Sequence, residues 1–424
     1  MNTKNCKNLP KPSRVKEPTD ITRRTLLGYA AAAGAALTVD PSVAFAQDAT
    51  PGIDPATKTI TIGAFTPVTG PVPFYALISH GADAYFKHLN DNGGIQGWKF
   101  NYILKDDGYE PSRSVAAARR LVEDDKVFAL VASIGTAQNI AVIPYAKSVN
   151  IPVVSPVGGS PKLVAEPNFF PLLPDYALSG SASAEFAVND LKKKKIALLW
   201  VNDEVGRGAK RGIDLYLSSQ KLETVVATSF DYSTADFSPH VRRAAEANAD
   251  VVILFGSNAN LAGALRAADK QGFKADWIAP FFTADPATYS LAKSLLDGVY
   301  FSSWLLPVDS DDESVKQYRA ALQKYYPRDP IGIFGLNGWT SAALFGVAFE
   351  KMLKANTPLT RESLVETLNS IKNEKVGGVK TVTFSKEDHR GIRQETMIQA
   401  KDGKYIAVRD YTPYPDVVFN ANPG

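Results

Sequence analysis

The chain has one cysteine in 424 residues, Cys6, and none after it. That absence excludes a disulfide, a thiol nucleophile and a thiolate metal site from residue 7 onward, so core burial alone must hold the fold together. Histidine is nearly as scarce. His80, His88, His240 and His389 are scattered, and the two nearest lie two helical turns apart, too far to share a metal. A Gly-x-Ser-x-Gly nucleophile elbow and a Walker-type phosphate loop are both missing. Gly206-Arg207-Gly208-Ala209-Lys210-Arg211-Gly212 imitates a dinucleotide fingerprint, but its glycine spacing is wrong by one residue, and it reads as a tight strand-to-helix turn. Hydrolysis, nucleotide chemistry and metal chemistry therefore have no foothold, and no cofactor is expected.

Long apolar runs are lacking too. The Ala-rich stretch 28–39 is shorter than the roughly 20 residues that span a bilayer, and Gly28 and Gly34 interrupt it. It follows Thr22-Arg23-Arg24-Thr25-Leu26-Leu27 and precedes Ala44-Phe45-Ala46, the small-x-small triplet that a signal peptidase cuts. Residues 1–46 are thus expected to be a cleaved export leader of the twin-arginine type, leaving the mature protein in the periplasm. A lipid anchor would need a cysteine after the leader, and none is present.

A surplus of one charge is the last thing missing. The leader holds seven of the 47 Lys and Arg and three of the 44 Asp and Glu, leaving 40 against 41. Nothing in that balance calls for nucleic acid or an acidic membrane surface. The basic run 192–195 reads as a solvated helix terminus.

What is present is alternation. Short β-branched apolar runs at 59–65, 99–104, 127–131, 152–154, 196–201, 224–230, 251–255, 277–279 and 299–302 are separated by amphipathic, Ala-rich segments. The helices expected between and after them span 75–90, 113–124, 137–149, 176–191, 208–220, 239–247, 261–271 and 313–325. Strands apolar on both sides and separated by single helices predict an α/β protein with parallel sheets flanked by helices. Nine strands suit two lobes better than one sheet, and 169–175, with Pro171 and Pro174, reads as a crossing between them.

Ligands of such sheets bind outside the carboxyl ends of the strands. The loops there are 66–73, 133–137, 155–161, 202–208, 256–260 and 283–286. Gly158-Gly159-Ser160 and Gly135-Thr136-Ala137 expose backbone N–H groups beside hydroxyls, which suits either an anion-receptive nest or ordinary capped turns. Asp106-Asp107, followed by Gly108 and Pro111, reads as a turn and helix cap rather than an acid/base pair.

Several stretches, in order along the chain, resemble the leucine/isoleucine/valine-binding protein family. They are the strand 60–65 running into Thr66-Pro67-Val68-Thr69-Gly70-Pro71, then Asn92-Gly93-Gly94-Ile95-Gln96-Gly97, Asp106-Asp107-Gly108-Tyr109-Glu110-Pro111, Ile151-Pro152-Val153-Val154-Ser155-Pro156 and Asn202-Asp203-Glu204-Val205-Gly206-Arg207-Gly208. The resemblance implies a type I two-lobe periplasmic binding fold with a multi-strand hinge. Lobe one would be 47–174 with 307–357, and lobe two 175–306 with 358–424. It further implies a monomeric carrier of a small solute that serves an inner-membrane ABC permease, a ligand sensor on the same fold being the alternative. Tyr75 matches the family's aromatic wall, and Gly135, Thr136, Gly158, Gly159 and Ser160 match the loops that meet a ligand carboxylate. Asn260 stands where amino-acid-binding members carry the acid that holds the ammonium, and Val205 where they carry an aromatic. Either Asp175 or Asp285, with Tyr176 beside them, would then supply the charge, or the ligand is a carboxylate or amide that lacks an amine.

Overall fold

The computed structural model describes residues 50–421, so the leader expected at 1–46 lies outside the described residues. Two sheets dominate. The first contains β1 (Ile53–Asp54), β2 (Thr59–Thr66), β3 (Lys99–Asp106), β4 (Leu130–Val131), β5 (Val153–Val154) and β6 (Phe169–Phe170). β3 pairs along the whole of β2, the path β2-β4-β5-β6 is parallel, and β1 runs antiparallel on β2. The second sheet has β7 (Ile196–Val201), β8 (Thr224–Phe230), β9 (Val251–Phe255), β10 (Asp276–Pro280) and β11 (Tyr300–Ser303), all parallel. After the small antiparallel pair β12 (Glu374–Val376) and β13 (Val379–Val382), the chain adds β14 (Gln394–Lys401) and β15 (Lys404–Pro413) antiparallel beside β11, giving the order β15-β14-β11-β10-β9-β7-β8. The chain therefore passes between the sheets three times, after β6, after β11 and before β14.

Alternation within single strands explains why both faces of each sheet are covered. In β7, Ile196 and Leu198 enter one hydrophobic cluster while Ala197 and Leu199 enter another, all four fully buried. In β5, Val154 and Val153 divide in the same way. Each fully buried Ile, Leu or Val contributes about 1.5–3 kcal/mol relative to exposure, so neither face can be stripped of its helices.

The helix Ile333–Lys354 is apolar nearly all round and buried over most of its length. It lies against the helix Ala76–Asp91 with no room for side chains at the crossing. A Cβ on Gly81 would sit 1.9 Å from the Gly335 carbonyl oxygen, and one on Gly338 would sit 1.7 Å from that of Ile78. Hydrogen bonds from Tyr325 to Asp91 (2.6 Å) and between His80 and Asp329 (2.6 Å) tie the preceding segment to the same helix.

Arg361, His389 and Gly391, expected in the second lobe, make contacts on the side of the first sheet instead. The Arg361 guanidinium donates to the carbonyls of Phe128, Val149 and Val127 at 3.1, 3.3 and 2.8 Å. His389 stacks on Phe170 and hydrogen-bonds the Phe169 carbonyl at 2.8 Å, and Gly391 N–H donates to Pro171. The physical reason is donor supply, since carbonyls at the rim of the first sheet need partners that its own strands do not provide.

Candidate functional site

A cavity of about 440 Å³ opens between the carboxyl ends of the two sets of parallel strands, where a topological argument places a ligand. Its walls come from both sheets. Tyr75, Tyr109, Thr136 and Phe334 belong to the side of the first, and Asp203, Tyr232 and Phe281 to the side of the second.

Tyr75 closes the short turn Pro73–Tyr75 and leads into the helix Ala76–Asp91, Pro73 pre-setting the turn. Its ring meets Tyr109 at 5.7 Å and Phe334 at 5.6 Å between centroids. Tyr109 is aimed by the turn before it. Asp107 Oδ1 accepts from Tyr109 N–H at 2.9 Å, while Asp106 Oδ1 accepts from the N–H groups of Val68, Thr69 and Gly108 at 3.0–3.1 Å. Burial pushes the Asp106 carboxyl up, yet the Thr69 and Gly108 hydrogen bonds outweigh it and hold the pKa at about 2. The acidic pair shapes a loop.

Gly135 precedes the helix Thr136–Ser148 at φ 108°, and no side chain caps that helix. The backbone conformation there favours glycine, and a Cβ on Gly135 would lie 2.1 Å from Gln138 Oε1 and displace that amide. Gln138 Nε2 donates to the Tyr109 carbonyl at 2.6 Å, while its buried Oε1 has no hydrogen-bond partner among the described residues. Thr136 Oγ1 lies 3.5 Å from the Tyr176 hydroxyl, and both residues line the cavity.

On the opposite wall Asp203 caps the helix Glu204–Ser219, its Oδ1 accepting from Val205 N–H at 2.9 Å and Gly206 N–H at 3.1 Å. The Tyr232 hydroxyl also favours its charged form. Burial raises the Asp203 pKa above the ordinary carboxylate value against these bonds and the Arg207 charge. Arg207 itself is half-exposed and occupied by the Asn202 carbonyl at 3.3 Å and by Glu204 at 3.7 Å.

Of the ten residues expected from sequence, the cavity wall holds Tyr75, Gly135, Thr136 and Tyr176. The other six lie behind it or away from it. A Cβ on Gly158 would meet Thr136 Cα at 2.9 Å, and one on Gly159 would meet the Tyr176 ring at 2.9 Å, so these glycines make room for wall residues. Ser160 caps the short helix Pro161–Val164. Asp175 caps the helix Tyr176–Asn189, pairs with Arg211 at 3.1 Å and faces a separate cavity of about 470 Å³. Asp285 accepts from Ala287 and Ile333 N–H groups at 3.0 and 3.2 Å. Asn260 forms a capping box with Ser257, and its Nδ2 donates to the Tyr232 carbonyl at 3.1 Å, so it holds a wall residue from behind.

Sequence reasoning passed over Tyr109, Gln138, Asp203, Tyr232, Phe281, Phe282 and Phe334. Tyr232 and Phe281 follow β8 and β10 almost directly, so their place just past the end of a parallel strand was the available signal. Phe334 had none, because its helix shows no period. Among the described residues no cluster of three or more metal-ligating side chains occurs, and no helix is long and apolar enough to cross a membrane.

A fold of two helix-flanked sheets with a ligand-sized cavity between their strand ends defines a two-lobed solute receptor, and comparison with known proteins agrees. The sequence profile described as periplasmic binding protein matches residues 59–404. The chain belongs to that family, and leucine/isoleucine/valine-binding proteins are among the relatives it resembles. It is 25% identical over 270 residues to an amino acid binding protein of Pseudomonas aeruginosa, covering 63% of this chain and 71% of that protein. Against the Leu/Ile/Val-binding protein of Citrobacter freundii it is 25% identical over 290 residues, 68% of this chain and 77% of the relative. Among solved structures, a fatty acid ABC transporter substrate-binding protein from Thermomonospora curvata superposes with a TM-score of 0.77 at 21% identity, covering 88% and 96% of the two chains. The substrate-binding protein LivJ from Streptococcus pneumoniae, in complex with isoleucine, gives 0.73 at 19% identity, covering 84% and 100%.

Proposed function

We propose that the protein captures a small solute of the branched-chain amino acid or related carboxylate or amide class between its lobes and delivers it to an inner-membrane ABC permease. The observation that carries this reading is the cavity of about 440 Å³, walled by strand-end loops of both sheets. A solute touching both walls makes more contacts when they are together, so binding shifts the population toward the closed arrangement. The protein acts in the periplasm after loss of residues 1–46, as a monomer and without a cofactor. The names of the Pseudomonas and Citrobacter relatives support an amino-acid type of cargo.

A thermal-shift screen against amino acids, aliphatic and aromatic acids, and amides tests the reading. A true ligand at 100 times its dissociation constant stabilises the fold by about 2.7 kcal/mol, a readily measured shift. If no member raises the melting temperature and scattering detects no compaction with any of them, solute capture is the wrong function.

A further inference from the structure

Resting on solute capture as the function, we infer that the ligand is an aryl-bearing α-amino acid whose ammonium is held by Asp203 and whose ring enters the aromatic wall. The first ground is charge. Asp203 is the carboxylate that burial affects in this cavity, while the nearby cation, Arg207, is half-exposed and engaged by Asn202 and Glu204. Among the described residues the cavity thus offers a half-buried anion and no comparably buried cation, which favours a ligand with a positive head over a bare carboxylate.

The second ground is an unfilled acceptor. Gln138 lines the cavity and is 2% exposed; its Nε2 is used by the Tyr109 carbonyl, and its buried Oε1, packed over Gly135, has no partner among the described residues. A buried carbonyl oxygen left unpaired calls for a donor, and an ammonium supplies three. Beside it, the uncapped helix start at Thr136 presents backbone N–H groups for the ligand's own carboxylate. A zwitterionic head therefore meets complementary groups on both walls.

The third ground is shape. Tyr75, Tyr109, Tyr176 and Tyr232, with the phenylalanines at 281, 282 and 334, give seven rings on one cavity. Tyr75, Phe74 and Phe334 already stand tilted or edge-on to one another with centroids 4.6–5.7 Å apart. Another ring extends that arrangement, whereas a branched aliphatic chain gains only contact area. Tyrosine faces close to the ammonium add cation–π attraction.

Calorimetric titration of the purified protein with L-phenylalanine, L-tyrosine, L-tryptophan, L-leucine and 3-phenylpropionate tests this. We expect one aryl amino acid to bind at least tenfold tighter than leucine. Asp203→Asn should weaken that ligand at least thirtyfold and change 3-phenylpropionate less than threefold. Asparagine and serine both cap helices, so Asp203→Asn and Asp203→Ser should keep the unliganded melting temperature and agree with each other. Leucine, isoleucine or valine binding tighter than every aryl compound overturns the aryl assignment and leaves solute capture standing. Should 3-phenylpropionate bind as tightly as phenylalanine, with both Asp203 variants unaffected, Asp203 only caps its helix and the ammonium assignment falls. If this whole set is silent, the inference is overturned, and solute capture falls with it only if the wider screen is silent as well.

Discussion

Gly159→Ala is a one-methyl test of how the cavity wall is built. The added Cβ would lie 2.6 Å from the Pro174 carbonyl oxygen and 2.9 Å from Cε2 and Cζ of Tyr176. Contacts that short cannot stand, and because one partner is backbone the strain cannot be relieved by a rotamer change alone. Gly159 is not among the residues with positive φ, so the effect is one of space and not of backbone conformation. Overpacking of this kind costs about 1–3 kcal/mol. At roughly 2–4 °C per kcal/mol for a lobe of this size, the melting temperature should fall by about 2–12 °C. The Tyr176 ring should also leave its place 3.5 Å from Thr136 Oγ1, weakening any ligand that touches both. Calorimetry of Gly159→Ala, Tyr176→Leu and the double variant closes a cycle. The double variant should be more stable than the sum of the singles predicts, although the Pro174 clash keeps the rescue partial. Melting and affinity equal to the parent would refute the claim that glycine is there to admit the tyrosine.

Tyr75→Ala should weaken ligand binding by about 1.5–3 kcal/mol in calorimetric titration, with a smaller effect on unliganded melting, and the reverse pattern would make Tyr75 a core residue. Arg361→Ala strips a donor from the three carbonyls of Phe128, Val149 and Val127 and should cost about 1–3 kcal/mol by denaturant unfolding. Arg361→Lys should recover only part, since an ammonium cannot reach all three at once. Glu395 is wholly buried, which raises its pKa to about 7 against the hydrogen bond from Ser179. The folded state therefore holds a proton that the unfolded chain has released above about pH 4.3, and stability should decline from there to about pH 7 by up to 1.4 kcal/mol per unit. Glu395→Gln should flatten that limb in melting curves taken from pH 4 to 8.

The parallel core was legible in the sequence because its central strands, β7 and β9 above all, are short β-branched runs buried on both sides. The helix Ile333–Lys354 was not, for the opposite reason: buried on nearly every side, it has no polar face to reveal a 3.6-residue period. β14 and β15 were missed as well, and β15 carries few fully buried positions. At the site the difficulty was chemical likeness. Asp175, Asp203 and Asp285 each follow a loop, cap a helix and accept from the N–H two residues on. Local sequence cannot tell them apart, and only tertiary packing turns Asp203 alone toward the cavity. Gly158 and Gly159 read as a nest because their neighbour Tyr176, 17 positions beyond Gly159, lies on the other side of the crossing.

The glycine-to-backbone seam between the helices Ala76–Asp91 and Ile333–Lys354 bears on how a solute enters. Tyr75 stands at the head of one helix and Phe334 at the head of the other, so two rings of the wall ride on a pair too tightly joined to slide. That part of the receptor is a finished palm before any solute arrives, while Asp203, Tyr232 and Phe281 are carried on the other sheet like fingers. Changes in the palm should register chiefly as lost capture, and changes in the fingers chiefly as faster escape.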